Sequence, residues 1–184
     1  MHQKLSSRDM AFIALGTALI SICAWLSVPM TVPFTMQTFA VCLAAALFGL
    51  RRGLWTVGCY LLLGALGAPV FSGIRGGFGV LLGATGGYLA GFLFTALIVG
   101  LAADRIGRSM PVLIASMALG VLVCYAFGTA WFVLVYAKNS GPVGVGTALA
   151  WCVLPYLLPD AAKIALAAIV TRRLRPLLEG GAVK

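Results

Sequence analysis

Asp160 and Lys163 are the only acid and base inside the last apolar stretch of a chain that is 62% hydrophobic. A charge near the centre of a bilayer costs about 2.5 to 3.5 kcal/mol on insertion scales, so a membrane helix that carries two has a use for both. Three residues of spacing put the two heads on one helix face. They can neutralise each other when nothing is bound, and they can offer an acceptor and a donor side by side to an arriving polar molecule. Two other uses fit the same pair: a salt bridge that ties its helix to its neighbours, and a proton switch made of one buried acid beside one buried base.

The elements that must position this pair are membrane helices. Mean hydropathy is +1.08 and only 9% of residues are charged, which describes a polytopic membrane protein. Punctuation by charge, Pro and Gly predicts an all-α integral membrane protein of six transmembrane helices near 10–28, 36–50, 53–68, 86–104, 110–137 and 150–174, forming a single domain over 1–184. The N-terminal Met1-His2-Gln3-Lys4 is followed by no small-residue cleavage site after the first apolar run, so no removable signal peptide is expected. The five cysteines are odd in number, lie in apolar segments and show no paired short spacing, which argues against a disulfide framework or a zinc site.

A formal charge of +9 raises the possibility of nucleic acid, but its distribution speaks for a membrane. Lys4, Arg8, Arg51, Arg52, Arg105, Arg108, Arg172, Arg173, Arg175 and Lys184 fall on one side of a six-span arrangement, and Arg75 and Lys138 on the other. This positive-inside bias predicts cytoplasmic termini, with the basic clusters meeting anionic lipid heads and no nucleic acid as partner. If Arg172 marks the inner boundary, Lys163 lies roughly 13 Å and Asp160 roughly 18 Å above it at the helical rise. Both then sit near the midplane or in the outer half of a core about 30 Å thick, in a site that opens outward.

Pro159 either opens the last helix, which would place Asp160 in the first turn where the helix dipole favours an anion, or kinks one longer span. The outer connections are apolar but carry hydroxyls, an amide and many glycines: 27–38, with Thr35 and Gln37; 67–79, with Arg75; and 83–88, with Thr85, Gly86 and Tyr88. They read either as lids over a ligand or as tight connections packed on helix ends.

Four blocks in order, Val32-Pro33-Phe34-Thr35-Met36-Gln37-Thr38, Gly64-Ala65-Leu66-Gly67-Ala68-Pro69-Val70-Phe71, Thr85-Gly86-Gly87-Tyr88 and Pro159-Asp160-Ala161-Ala162-Lys163, make the chain resemble the BioY family of biotin transporters. These are the substrate-binding S components of energy-coupling factor transporters. The resemblance runs over essentially the whole chain; one departure is Ala84, where the family commonly has proline. It implies a six-helix domain that captures biotin from outside. Asp160 would accept from a ureido N–H and Lys163 would donate to the ureido carbonyl. Thr35, Gln37, Thr85 and the Gly86 amide would supply neutral hydrogen bonds. Phe34, Met36, Phe71, Tyr88 and Trp151 or Tyr156 are candidates for an apolar wall, and Arg75 for the biotin carboxylate.

The chain has no Gly-rich phosphate loop ending in Lys-Ser or Lys-Thr, so it is not itself the ATPase. The resemblance supplies a transmembrane coupling protein and two cytoplasmic ATPases. Ala14 and Ala18, spaced like the alanine motif with which S components dock, are the candidate contact. Enzyme classes fit poorly: the sole histidine is His2, and the four acids are dispersed. No cofactor or metal is expected. An S component for another vitamin and a proton-coupled small-molecule transporter are the competing functions.

Overall fold

The computed structural model describes residues 6–141 and 143–180. His2, Lys4 and Lys184 of the sequence argument lie outside the described residues. The elements in order are α1 (Ser7–Trp25), β1 (Ser27–Val28), β2 (Phe34–Thr35), α2 (Gln37–Ala65), α3 (Phe78–Leu82), α4 (Gly86–Arg105), α5 (Met110–Ser140), α6 (Val145–Cys152) and α7 (Leu154–Gly180). Helix dominates as expected, and a short antiparallel pair, in which Ser27 faces Thr35 and Val28 faces Phe34, joins α1 to α2.

Among the described residues five helices are long and apolar enough to cross a membrane. One of them, α2, is not straight. Gly49 has φ 78° and ψ −176°, in the left-handed region that glycine enters without a Cβ penalty. A continuous helix would hold Gln37 and Tyr60 about 34 Å apart, yet Gln37 Nε2 donates to the Tyr60 hydroxyl at 2.5 Å. The helix therefore folds back at Gly49 into two packed arms, 37–48 and 50–65, and a methyl placed on Gly53 would lie 3.0 Å from the Ala45 Cα. The charges of Arg51 and Arg52 predict the connection two residues later. One left-handed glycine suffices for the reversal, so both arginines stand in the first turn of the second arm.

The surface is as apolar as the core. Small and hydroxylated residues, among them Ala40, Ala45, Thr17, Thr56, Thr95 and Thr171, share the interior with larger ones such as Ile20, Tyr60, Phe71, Leu113 and Phe132, while Leu15, Leu62, Leu66, Leu122, Leu134 and Leu158 are exposed. Small residues let helix backbones approach without a hydrophobic driving force between them. Gly91 of α4 lies against Cys124 of α5, and Gly120 of α5 lies against Thr95 of α4. Thr95 Oγ1 donates across this seam to the Gly120 carbonyl at 3.0 Å.

Charged contacts gather the helix ends at one pole. Asp9 pairs with Arg52 at 2.6 Å, and Ser6 and Asp9 form a capping box that starts α1. Asp104 accepts from the Leu50 amide at 2.8 Å, while Arg108 donates to the Ala46 carbonyl at 2.7 Å. The Gly49 turn is thus capped on both sides from the corner between α4 and α5.

Candidate functional site

Helix α7 brings Asp160 and Lys163 into the interior. Both are buried, at 4% and 5% exposure, and Lys163 Nζ donates to Asp160 Oδ1 at 2.6 Å. The helix begins at Leu154, after a break at Val153 that separates it from α6. Of the two readings of Pro159, the structure agrees with the one inside a longer helix and not with a helix start, so Asp160 is beyond the first turn and owes its charge stabilisation to side chains rather than to the helix dipole. The missing proline N–H leaves the carbonyl one turn earlier without its helical donor.

Three other elements complete the environment of the pair. Lys163 donates a second hydrogen bond to the Thr35 carbonyl of β2 at 2.7 Å, and its nitrogen stands 3.9 Å from the centre of the Phe34 ring, a cation–π arrangement. The other carboxylate oxygen, Asp160 Oδ2, accepts from the Tyr125 hydroxyl of α5. An ionised carboxylate has about four acceptor positions and an ammonium three donors. With two positions used on each group, both can still bind a ligand's N–H and C=O.

Beside the pair, the Thr35 hydroxyl donates to Gln37 Oε1 at 2.8 Å, and Gln37 Nε2 reaches Tyr60, which is fully buried. The Gln37 side chain is therefore fixed at both ends. On the opposite wall the Tyr88 hydroxyl meets Thr129 Oγ1 at 2.9 Å.

One cavity runs over these groups. Asp160, Lys163, Thr35, Gln37, Thr85 and Tyr88 all line it, together with Tyr125 and the apolar Phe71, Leu89, Phe92 and Val121. Its volume is about 70 Å³, so its walls stand close together. Predominantly apolar walls with a few convergent polar groups are what a small-molecule site requires.

The connections above the cavity are tied down by side chains. Tyr156 donates to the Val32 carbonyl, Trp131 to the Gly83 carbonyl at 2.9 Å, and Trp25 to the Pro69 carbonyl at 2.8 Å. Lys163, through Thr35, is thus both a cavity-lining group and a tether on the β1–β2 connection.

Two of the polar groups proposed from sequence are not in this cavity. The Gly86 amide donates to the Gly83 carbonyl at 3.0 Å. A Cβ at Gly86 would run into the Leu81 carbonyl, so close backbone packing accounts for this glycine. Arg75 is exposed, donates to the Ser72 carbonyl at 3.2 Å, and lines an adjoining outer space that shares Pro33, Val80 and Thr85 with the cavity. Of the apolar candidates, Phe71, Tyr88 and Tyr156 line the cavity, whereas Phe34, Met36 and Trp151 do not.

Sequence reasoning missed Tyr125 and Tyr60. The available signal was a phenol in the middle of an apolar span, since a buried Tyr hydroxyl needs a partner. The alanines of α1 are elsewhere: Ala14 and Ala18 are exposed and line an apolar groove with Met10, Leu62 and Leu63. Gly16, between them in sequence, is buried against Thr56.

A bundle with lipid-type surfaces, a buried ion pair and a mostly apolar cavity defines a multi-pass membrane protein with a small-molecule site. The BioY family profile matches residues 1–180, and the chain belongs to that family. A biotin transporter BioY of Thermotoga maritima is 38% identical over 171 residues, covering 92% of this chain and 97% of that one. A probable biotin transporter BioY of Pyrococcus horikoshii is 37% identical over 172 residues, with 93% and 98% covered. The fold is similar to the 2.1 Å crystal structure of the S-component for biotin from an ECF-type ABC transporter, with a TM-score of 0.80, 30% identity, and 91% of this chain and 90% of that chain covered.

Proposed function

We propose that this chain captures biotin at the outer face of the cell membrane and serves as the S component of an energy-coupling factor transporter. The observation that carries this reading is the buried Asp160–Lys163 pair in the wall of a mostly apolar cavity, in a member of a family whose named relatives are biotin transporters. The ureido ring presents N–H donors to Asp160 and a carbonyl to Lys163. Thr35, Gln37, Thr85 and Tyr88 lie within the same cavity for further polar contact, and Phe71 and Phe92 face the thiophane ring and the valeryl chain. Arg75 stands in the outer space, where the carboxylate of a bound biotin would emerge.

In this reading the two arms of α2 cross the membrane separately, giving six crossings with both termini cytoplasmic. The ligand cavity then opens outward, and the arginine-rich pole faces the cytoplasm, consistent with positive-inside placement. The groove along Ala14 and Ala18 meets the transmembrane coupling protein, and two cytoplasmic ATPases supply the energy. The test is growth at limiting biotin of cells that can neither make nor import it, with the chain expressed beside its coupling and ATPase subunits. Growth that depends on the chain and is lost with Lys163→Met supports the proposal; growth indifferent to either overturns it.

A further inference from the structure

Behind the cavity wall, Tyr60 joins two residues that line it. Tyr60 is not in the wall itself; it lies in the second arm of α2, fully buried. Its hydroxyl accepts from Gln37 Nε2 at 2.5 Å, and its ring meets Phe71 edge-on, with centres 5.4 Å apart and planes at 80°. One turn later on the same arm, a Cβ at Gly64 would fall 2.0 Å from the Phe71 ring, so glycine is what lets Phe71 lie across Tyr60. The turn that carries Phe71 closes on itself, the Phe71 amide donating to the Arg75 carbonyl at 2.9 Å.

We propose that Tyr60 is a positioning residue for the ligand site, acting through Gln37 without touching the ligand. This role rests on the reading of the cavity as a biotin site. Ring packing explains an aromatic at position 60 but not a phenol, because phenylalanine would meet Phe71 equally well. A hydroxyl buried in an apolar helix needs a hydrogen-bond partner, and here the partner is a side chain of the cavity. Gln37 gains from the contact in turn. Glutamine is among the side chains with most rotamer freedom to lose, so a carboxamide pinned in advance meets a ligand at less cost. Thr35 pins its other end: the Thr35 hydroxyl accepts from the Gln37 backbone N–H at 3.2 Å and donates to Oε1 at 2.8 Å. The carboxamide keeps one N–H and one lone pair for the ligand.

The arrangement also selects which end of the ligand is served. Thr35 is the common neighbour, its carbonyl accepting from Lys163 Nζ at 2.7 Å while its hydroxyl holds Gln37. The Gln37 carboxamide therefore stands beside the ion pair, at the ureido end of a bound biotin. Desthiobiotin keeps the ureido ring and lacks the thiophane ring, so a role through Gln37 falls on both ligands. A role through Phe71 packing would fall on the thiophane ring alone.

Isothermal titration of biotin and of desthiobiotin into the purified full chain, with thermal unfolding alongside, is applied to Tyr60→Phe, Gln37→Met and the two combined. Tyr60→Phe removes one neutral hydrogen bond and should weaken binding of both ligands about fivefold. Because Tyr60 acts through Gln37, adding Tyr60→Phe to Gln37→Met should weaken binding no further. The double variant puts apolar groups in place of both partners, so it should unfold at a higher temperature than Tyr60→Phe alone, where a buried N–H is left unpaired. A fivefold loss repeated in the Gln37→Met background, binding by Tyr60→Phe within twofold of the unchanged chain, or a loss for biotin only would each overturn the role of Tyr60 and leave the biotin reading standing. Absence of biotin binding by the unchanged chain would overturn both.

Discussion

Replacing Asp160 by Asn keeps the shape of the side chain and removes its charge, which makes it the cleanest perturbation of the site. In the native arrangement Oδ1 takes the Lys163 ammonium at 2.6 Å and Oδ2 takes the Tyr125 hydroxyl. An amide has one oxygen to offer. If it stays on Lys163, the NH₂ group points where Tyr125 donates and where a ureido N–H would arrive, so donor meets donor. Hydrogen bonds to a charged group contribute about 1.5 to 3 kcal/mol and neutral ones about 0.5 to 1.5, and a donor left without an acceptor costs about 1 to 3 more. The sum, about 2 to 4 kcal/mol, corresponds to roughly 30- to 1000-fold weaker biotin binding.

Stability falls too, because Lys163 loses its counter-ion. Removing one partner of a buried pair costs about 3 to 5 kcal/mol, and the low end applies here since Lys163 keeps the Thr35 carbonyl and the Phe34 ring. A double replacement separates the two effects. Asp160→Leu with Lys163→Met substitutes an apolar pair for the ions, which is often neutral or stabilising, so thermal unfolding should return towards the native temperature while biotin binding stays lost. Isothermal titration on the purified proteins, each checked by thermal unfolding, is the assay. Binding by Asp160→Asn within twofold of the unchanged chain, or tight binding by the double variant, would refute the reasoning.

Tyr125→Phe removes a donor from Asp160 without adding bulk, and should weaken biotin binding about tenfold in the same titration, one charge-assisted hydrogen bond being worth about 1.5 kcal/mol or more. Gly49→Ala forces a Cβ into positive φ and to 2.5 Å from Asp104 Oδ1, so unfolding in detergent should show a loss of about 1 to 3 kcal/mol. Ala14→Trp with Ala18→Trp should abolish biotin uptake and co-purification of the coupling protein while leaving biotin binding intact, because the α1 groove is separate from the cavity. With cysteines placed singly at Arg52 and Lys138, a membrane-impermeant thiol reagent applied to intact cells should label only position 138.

The buried ion pair was legible in the sequence because two opposite charges three residues apart in an apolar run have few alternatives. Lys163 and Asp160 meet as the spacing demands, and four of the six other candidates, Thr35, Gln37, Thr85 and Tyr88, line the same cavity. What the sequence hid was long-range. Tyr125 lies 35 residues from Asp160 and Tyr60 lies 23 from Gln37, and only the packed bundle brings them together. Glycine serves equally for exposed amides and for tight backbone contact, and at Gly86 the Leu81 carbonyl fills the space a Cβ would take. The reversal at Gly49 was masked by the adjacent Arg51 and Arg52, since charge marks a loop more visibly than a single glycine does. For Pro159 the sequence left a helix start and a position inside a longer span equally open, and α7, begun five residues earlier at Leu154, decides for the second.

Equilibrium binding of labelled biotin to the purified chain alone, competed with unlabelled biotin and with other vitamins, tests the central claim most directly. The account predicts saturable binding at one biotin per chain, displaced by unlabelled biotin and not by the other vitamins. Absence of saturable binding, or displacement by another vitamin as effectively as by biotin, would contradict it.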